Sequence, residues 1–89
     1  MKIFKFQIPL SDVVTIEMQE NAKILSVQAQ NEKPYMWALV DPPARLVKRK
    51  FRFAGTGHEI THDSGKLLFI GTFQMHGGSL VFHIFEILE

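Results

Sequence analysis

The sequence contains no cysteine, no long apolar run and almost no net charge, and each absence excludes a class of protein. Without cysteine, the chain has neither a disulfide framework nor a thiolate metal site. No apolar run approaches the ~20 residues that cross a bilayer, and residues 1–6 alternate, unlike a signal peptide. The net charge of +1 gives no basic field for an extended nucleic-acid surface. We therefore expect a soluble cytoplasmic protein that does not bind a membrane.

The length and the apolar content indicate one small domain. A chain of 89 residues falls within the range of ~50 to 250 residues that is typical of single domains. Its 46% hydrophobic content includes eight phenylalanines, which is more than one small core needs. We expect a single β domain over residues 1–89, with an apolar face that a partner covers. A homo-oligomer is one form of that partner.

Alternation of apolar and polar residues favours β-strands along almost the whole chain. Clusters of Gly, Pro, Asn, Asp and Ser separate the alternating segments. The predicted strands are residues 2–8, 13–18, 24–30, 35–40, 46–53, 67–76 and 79–88. The chain is therefore predicted to be all-β, either a small antiparallel β-sandwich or a partly closed barrel of six to seven strands.

Two hairpins are predicted from turn chemistry. The first has residues 31–34 as its connection, and it places Leu25, Val27, Ala29, Met36, Ala38 and Val40 on one face. Trp37 falls on the opposite face with Ser26 and Gln28, as a core or interface residue. The second hairpin turns at Gly77-Gly78, a two-residue primed turn, so that paired residue numbers sum to 155. Its apolar face is predicted to contain Phe69, Gly71, Phe73, Met75, Leu80, Phe82 and Ile84, and its other face Ile70, Thr72, Gln74, His76, Val81, His83 and Phe85.

Residues 58–62, HEITH, match the zinc-protease pattern H-E-x-x-H. The zinc chemistry requires both histidines on one helical turn, but Gly57 precedes the segment and a turn-forming Asp-Ser-Gly follows it. We therefore interpret the segment as a loop, with no metal ligands. His76 and His83 do not form a metal site either, because they lie about 13 Å apart along the predicted hairpin.

The predicted register places His83 opposite Thr72 and diagonal to Gln74. Two interpretations remain open. In one, His83 only hydrogen-bonds its cross-strand neighbour, as buried polar groups do. In the other, these three side chains line a small-ligand pocket with Phe85 as an apolar wall.

A Gly-Thr-Gly-His turn, residues Gly55, Thr56, Gly57 and His58, follows a basic strand. Backbone N–H groups of such a turn can bind a phosphate or a carboxylate. The strand has Lys48, Lys50 and Arg52 on one face and Arg49, Phe51 and Phe53 on the other. One interpretation is a charged edge strand that discourages aggregation, and the other is a binding site for a phosphorylated ligand.

Four segments resemble a family of small proteins found in phages, prophages and bacteria. They are AKILSVQ (22–28), WALVDP (37–42), FRFAGTGH (51–58) and, most specifically, GTFQMHGGSLVFHIFE (71–86). Members of that family often have proline at the position of Glu59, so the zinc-protease pattern is not implied by the resemblance. The resemblance implies a compact accessory protein of mobile elements, in the cytoplasm of a bacterial host, and by analogy a role against host defence.

Three functions are compatible with these residues. The first is a non-enzymatic binding protein for a small anionic, nucleotide-like ligand, with no cofactor. The second is a protein–protein interaction module, either an inhibitor of a host defence protein or a structural component. The third, a metal-dependent hydrolase, has the least support. The ligand-binding residues predicted for the first function are Lys50, Arg52, Gly55, Thr56, Gly57, His58, Thr72, Gln74 and His83.

Overall fold

A computed structural model describes residues 1–88 as two antiparallel β-sheets packed face to face. The seven strands are β1 (Lys2–Gln7), β2 (Val13–Gln19), β3 (Lys23–Gln30), β4 (Lys33–Val40), β5 (Leu46–Gly55), β6 (Leu67–Met75) and β7 (Leu80–Ile87). The sheets have the orders β1-β4-β3 and β2-β5-β7-β6. The all-β prediction is confirmed, and of the two predicted architectures the structure is sandwich-like. The predicted domain ends at Glu89, which lies outside the described residues.

The core forms where the inward-facing residues of the two sheets meet. In a half-buried strand alternate side chains point to the same face, so every second residue reaches the core. Met18, Phe51 and Ile84 extend inward from the four-stranded sheet, and Met36 and Val40 from the three-stranded sheet, all with 1% exposure or less. Full burial of such a side chain stabilises the fold by roughly 1.5–3 kcal/mol. Within residues 1–88, no helix has the length and hydropathy to cross a membrane.

The hairpin between β3 and β4 turns earlier than predicted. Asn31 and Glu32 both have positive φ, 53° and 62°, and Gln30 pairs with Lys33. This is the backbone of a two-residue primed turn, whose twist matches that of the flanking strands. The predicted connection over residues 31–34 is therefore too long by two residues. Pro34 belongs to β4, where its carbonyl accepts a hydrogen bond from the N–H of Ile8 at 3.0 Å.

A β-bulge in β3 overturns one predicted side-chain direction. The register shifts between Ile24 and Ser26, so Leu25 has no partner in β4. Leu25 is 47% exposed rather than buried, and Ile24 packs against the core in its place. Leu25 is the one extra residue of the bulge, and beyond it the side chains of β3 alternate as predicted. The predicted faces are therefore correct from Val27 onward.

The β6–β7 hairpin confirms the predicted register over its last five pairs, from Gly71↔Ile84 to Met75↔Leu80. Gly77 and Gly78 form the turn, with φ of 64° and 95° that favour glycine. β6 ends at Met75 and β7 begins at Leu80, so each strand stops one residue farther from the turn than predicted.

A second bulge, at Ile70 in β6, shifts the pairing beyond it by one position. Phe69 was predicted on the core face, but it is 56% exposed on the outer face and packs edge-to-face on Phe85 at 5.6 Å. Ile70 turns toward the core instead. The faces predicted for Phe69 and Ile70 are therefore wrong.

The basic strand β5 is not an edge strand. It lies inside the four-stranded sheet, paired with β2 on one side and with β7 on the other. The interpretation as a charged edge is wrong, because alternation within one strand does not reveal its neighbours. The predicted faces of β5 are confirmed, since Phe51 and Phe53 are buried in the core and Lys48 and Lys50 are exposed.

Candidate functional site

His83 is held between two threonines on the outer face of the four-stranded sheet. Its Nδ1 lies 2.9 Å from Oγ1 of Thr72, its cross-strand partner, and its Nε2 lies 2.8 Å from Oγ1 of Thr56. Both ring nitrogens are therefore bonded within the protein, and a hydroxyl can donate to or accept from either tautomer. The predicted pairing of Thr72 and His83 is confirmed. The arrangement joins the end of β5 to the β6–β7 hairpin.

The Gly-Thr-Gly-His turn uses two of its backbone donors internally. The N–H of Thr56 donates to the carbonyl of Val81 at 3.3 Å, and the N–H of His58 to the carbonyl of Gly55 at 3.0 Å. These two donors are not available to an anion, so the turn does not present a row of free N–H groups. The His58 ring lies against Gly55, where a Cβ would come within 2.7 Å of it.

Two open depressions, of about 230 and 320 Å³, flank the His58 ring. They share Gly55, His58 and Phe82, and Asp12 lines the smaller one. Neither is lined by a lysine or an arginine. A phosphate in either depression would therefore lack a permanently charged partner. Gln74 lies apart from both, with its Oε1 beside Gly78.

Arg52 is mostly buried and is hydrogen-bonded within the protein. Only 9% of the residue is exposed, and its guanidinium donates to the backbone carbonyls of Phe53, of Asp12 at 3.3 Å and of Glu59 at 3.1 Å. It thereby fixes the loop after β5 and the loop before β2. Lys50 is exposed on the same face but lies six residues from Thr56, about 20 Å along the strand.

Arg49 forms a second internal cation site that the sequence did not reveal. Its guanidinium binds both carboxylate oxygens of Glu86 at 2.7 Å and the carbonyl of Ala22 at 2.6 Å. The two side chains are mostly buried, with 20% and 12% exposed. Bidentate pairing is the strongest geometry for such a contact, so this pair orders the inner layer between the sheets.

The HEITH segment forms no helix, and residues 58–61 have no regular secondary structure. The prediction of a loop is confirmed, and the helical geometry that the zinc-protease mechanism needs is not formed. The Nδ1 atom of His62 is buried without a hydrogen-bond partner. Within residues 1–88, no group of three or more His, Asp or Glu side chains could hold a metal ion.

The outer face of the three-stranded sheet combines aromatic rings, lysines and amides. We name it the lysine–aromatic face. Central strand β4 places Tyr35 and Trp37 on it, two residues apart, with ring centroids 6.1 Å apart. The register adds Ile3, Lys5 and Gln7 from β1, Lys23, Ser26, Gln28 and Gln30 from β3, and Lys33 and Leu39 from β4. Three of these residues are lysines and none is acidic. Glu32, at the hairpin tip, directs its carboxylate to the backbone N–H of His76 at 2.7 Å.

Lys5 lies across the two rings. Its Nζ is 4.1 Å from the Tyr35 ring centroid and 5.9 Å from that of Trp37, and it donates to Oε1 of Gln30. An exposed cation–π contact is worth about 0.5–1 kcal/mol, whereas stacking of a nucleobase on an aromatic side chain is worth about 1–3 kcal/mol. A base can therefore replace the ammonium group on a ring, which frees the lysine to contact a phosphate.

The arginines and the lysines differ in their partners. Arg45 pairs with Glu20, whose hydrogen bond and charge raise the pKa of the guanidinium. Arg49 pairs with Glu86, and Arg52 bonds backbone carbonyls and lies near the Asp12 carboxylate. Within residues 1–88, no lysine forms an ion pair. The lysines are therefore the cations available to an anionic ligand, and three of the seven lie on the lysine–aromatic face.

The predicted site residues thus fall into separate groups. Thr56, Thr72 and His83 meet, the Arg52 guanidinium bonds the Glu59 carbonyl beside His58, and Lys50 lies farther along the sheet. The residues missed from the sequence are Lys5, Tyr35, Trp37 and the amides opposite them. Alternation already placed Tyr35 and Trp37 beside the amides of β3, and the missing information was that β1 pairs with β4.

Comparison with known proteins gives a family for the chain. No curated protein and no solved structure matches it. One domain family, described as "Domain of unknown function (DUF7352)", matches residues 1–89. The match extends over both sheets and the lysine–aromatic face. The chain therefore belongs to the DUF7352 family.

Proposed function

We propose that this protein is a non-enzymatic binding protein for nucleotide-like ligands and that it holds them on the lysine–aromatic face. The observation that supports this site is the juxtaposition of Lys5 with Tyr35 and Trp37, in a face with three lysines and no acid. A nucleotide combines a flat base with a phosphate. The face offers rings for the base and ammonium groups for the phosphate.

The site differs from the one predicted around His83 and the Gly-Thr-Gly-His turn. There the polar groups are already bonded to one another, and the depressions have no lysine or arginine lining them. Removing these groups from their partners costs about 1–3 kcal/mol for each donor or acceptor left unsatisfied. Within residues 1–88, the lysines of the lysine–aromatic face form no ion pair, so they lose none when they contact a phosphate.

The single tryptophan makes the proposal directly measurable. Stacking of a base on or beside Trp37 should quench its fluorescence as a nucleoside monophosphate or a cyclic nucleotide is added. One stacked base and one or two exposed ion contacts together suggest a dissociation constant on the order of 1 mM, or −4.1 kcal/mol. Calorimetry with the same ligands provides an independent readout.

Two partial ligands distinguish stacking of the base from contact with the phosphate. A nucleoside without phosphate should still quench Trp37 but bind more weakly, and ribose 5-phosphate should leave the fluorescence unchanged. Lys5→Ala should reduce the difference between nucleotide and nucleoside. An unchanged Trp37 signal at about 10 mM nucleotide, tenfold above the expected dissociation constant, would overturn the proposal.

The proposal includes a biological setting, and the family resemblance supports it. We propose an accessory protein of phages and other mobile elements that acts in the cytoplasm of the bacterial host. Binding a nucleotide signal of host defence would lower its free concentration without any chemistry. Expression in bacteria with a nucleotide-signalled defence system should restore phage growth, and the Tyr35→Ala variant should not.

A second candidate function is a protein–protein interaction module, as a homo-oligomer or with a host protein. The observation that favours it is Phe69, which is 56% exposed on the outer face of the four-stranded sheet and packs on the half-buried Phe85. Light scattering coupled to size-exclusion chromatography tests the homo-oligomer. A dimer that Phe69→Ser converts to a monomer would support self-association, and a wild-type monomer at all concentrations would exclude it.

A further inference from the structure

We infer that the ligand of the lysine–aromatic face is a short segment of single-stranded nucleic acid rather than a free mononucleotide. This inference rests on the proposed function, since it uses the same rings and lysines. It concerns how many nucleotides the face holds and in which form. The geometry of the three lysines and of the two rings carries it.

The lysines are too widely spaced for one phosphate group. Lys33 starts β4, Lys5 pairs with Trp37, and Lys23 pairs with Leu39 near the other end of the strand. From Lys33 to the level of Leu39 is six residues, about 20 Å. Successive phosphates of one stacked strand are about 3.4 Å apart along the axis. Only a chain of several nucleotides can therefore contact the lysines at both ends of the face.

The two rings are arranged for neighbouring bases. Tyr35 and Trp37 project from the same face of one strand with 6.1 Å between their centroids and 53° between their planes. A mononucleotide would use one ring and leave the other exposed. Two consecutive bases can occupy both rings, as bases do on aromatic residues of an antiparallel sheet.

The polar groups beside the rings lie where the edges of stacked bases would be. Ser26 pairs with Trp37 and Gln28 with Tyr35, so each ring has a hydroxyl or an amide directly across the strand pair. Gln7, on β1, pairs with Tyr35 from the other side. Amide and hydroxyl groups both donate and accept, so they can pair with any base edge. The expected recognition is therefore tolerant of sequence.

A duplex does not fit the same surface. The face is three strands wide, about 10 Å across at the spacing of neighbouring strands. No helix projects from it among residues 1–88 to enter a groove, and the bases of a duplex have no exposed ring faces to stack on Tyr35 or Trp37.

The test compares four ligands on the intact chain by Trp37 fluorescence and anisotropy. They are thymidine monophosphate, six-nucleotide oligo-dT, six-nucleotide oligo-U and a DNA duplex. We expect either hexanucleotide to bind at least tenfold more tightly than the monophosphate. Three phosphate contacts predict a slope of about −2 in a plot of log K against log salt concentration. The DNA and RNA arms separate the two sources of single strands.

Two variants and a charge-matched control complete the design. Tyr35→Ala should weaken hexanucleotide binding about tenfold, and the double variant K5A/K33A should reduce the salt slope by about 1.4. The double variant K48A/K66A removes two exposed lysines elsewhere and should leave the slope unchanged. Circular dichroism verifies that each variant is folded.

The outcomes distinguish the inference from the proposed function. Equal affinities for monophosphate and hexanucleotides would overturn the inference and leave nucleotide binding standing. A duplex that binds as tightly as the single strands, or an equal loss of slope in K48A/K66A, would also overturn it. Failure of all four ligands to bind would remove the inference and the proposed function together.

Discussion

The four-stranded sheet bonds its arginines within the protein, whereas the three-stranded sheet leaves its lysines exposed to solvent. Arg49 holds Glu86 in the inner layer, and Arg52 holds three backbone carbonyls. Lys5, by contrast, contacts only two rings and an amide oxygen. The lesson of this comparison is that a count of basic residues overstates the available charge of a strand, because β5 bonds Arg49 and Arg52 internally and leaves only Lys48 and Lys50 exposed. Substitutions in the two sheets should therefore affect different properties.

The largest effect on stability is expected from separating Arg49 and Glu86. Glu86→Ala leaves a guanidinium in the inner layer with the Ala22 carbonyl as its remaining strong partner. Loss of one partner of a fully buried pair costs 3–5 kcal/mol, and the partial exposure here lowers this to about 2–3 kcal/mol. Urea unfolding measures the change. The double variant R49M/E86L should recover most of the loss, and equal destabilisation of single and double variants would refute this role of the ion pair.

The next largest effect is expected at Arg52. Arg52→Met keeps much of the side-chain volume but removes the donors to the Phe53, Asp12 and Glu59 carbonyls. We expect a loss of about 2 kcal/mol, with faster hydrogen exchange in the loop after β5 as its anchor is lost. The same loss with unchanged exchange in that loop would contradict the anchoring role.

A smaller effect is expected from the threonine–histidine group. Thr72→Val removes the hydroxyl that contacts Nδ1 of His83 and keeps the β-branched shape. The expected loss is about 1 kcal/mol by urea unfolding. Thr56→Val should produce a similar loss, and the two should not add in the double variant if His83 couples them. Additive losses would mean that the two hydrogen bonds act independently.

The smallest effect is expected on the lysine–aromatic face. The triple variant K5A/K23A/K33A removes exposed cations that form no ion pair within residues 1–88. Its free energy of unfolding should therefore change by less than about 1 kcal/mol, through loss of the exposed cation–π contact of Lys5, while nucleotide binding is lost. Destabilisation by more than about 2 kcal/mol would show that these lysines have a structural role and would erase the contrast between the sheets.

The strands and most of their faces could be predicted because alternation is a local property of the sequence. The pairing of Thr72 with His83 followed from the Gly77-Gly78 turn alone, since a two-residue turn fixes the register of a hairpin. Where alternation is lost, prediction failed. Residues 67–70 are four apolar residues in a row, so nothing in them indicates that Ile70 is bulged and that Phe69 faces outward.

The candidate site depends on contacts between residues far apart in the sequence. Lys5 meets Trp37 because β1 pairs with β4, and no local pattern specifies which strands become neighbours. The same limit explains why the interpretation of β5 as a charged edge strand is wrong, since β5 lies between β2 and β7. Burial between β2 and β7 leads Arg52 to bond to backbone carbonyls, since buried charge must be satisfied.

The most direct test of the difference between the sheets is an NMR titration of ¹⁵N-labelled protein with a nucleoside monophosphate. The single tryptophan provides one indole N–H signal, on the lysine–aromatic face. We predict that this signal and the amide signals of Lys5, Tyr35 and Gln28 shift together, while those of Thr56, Thr72 and His83 stay in place. Shifts confined to Thr56, Thr72 and His83, with an unmoved indole signal, would contradict the account.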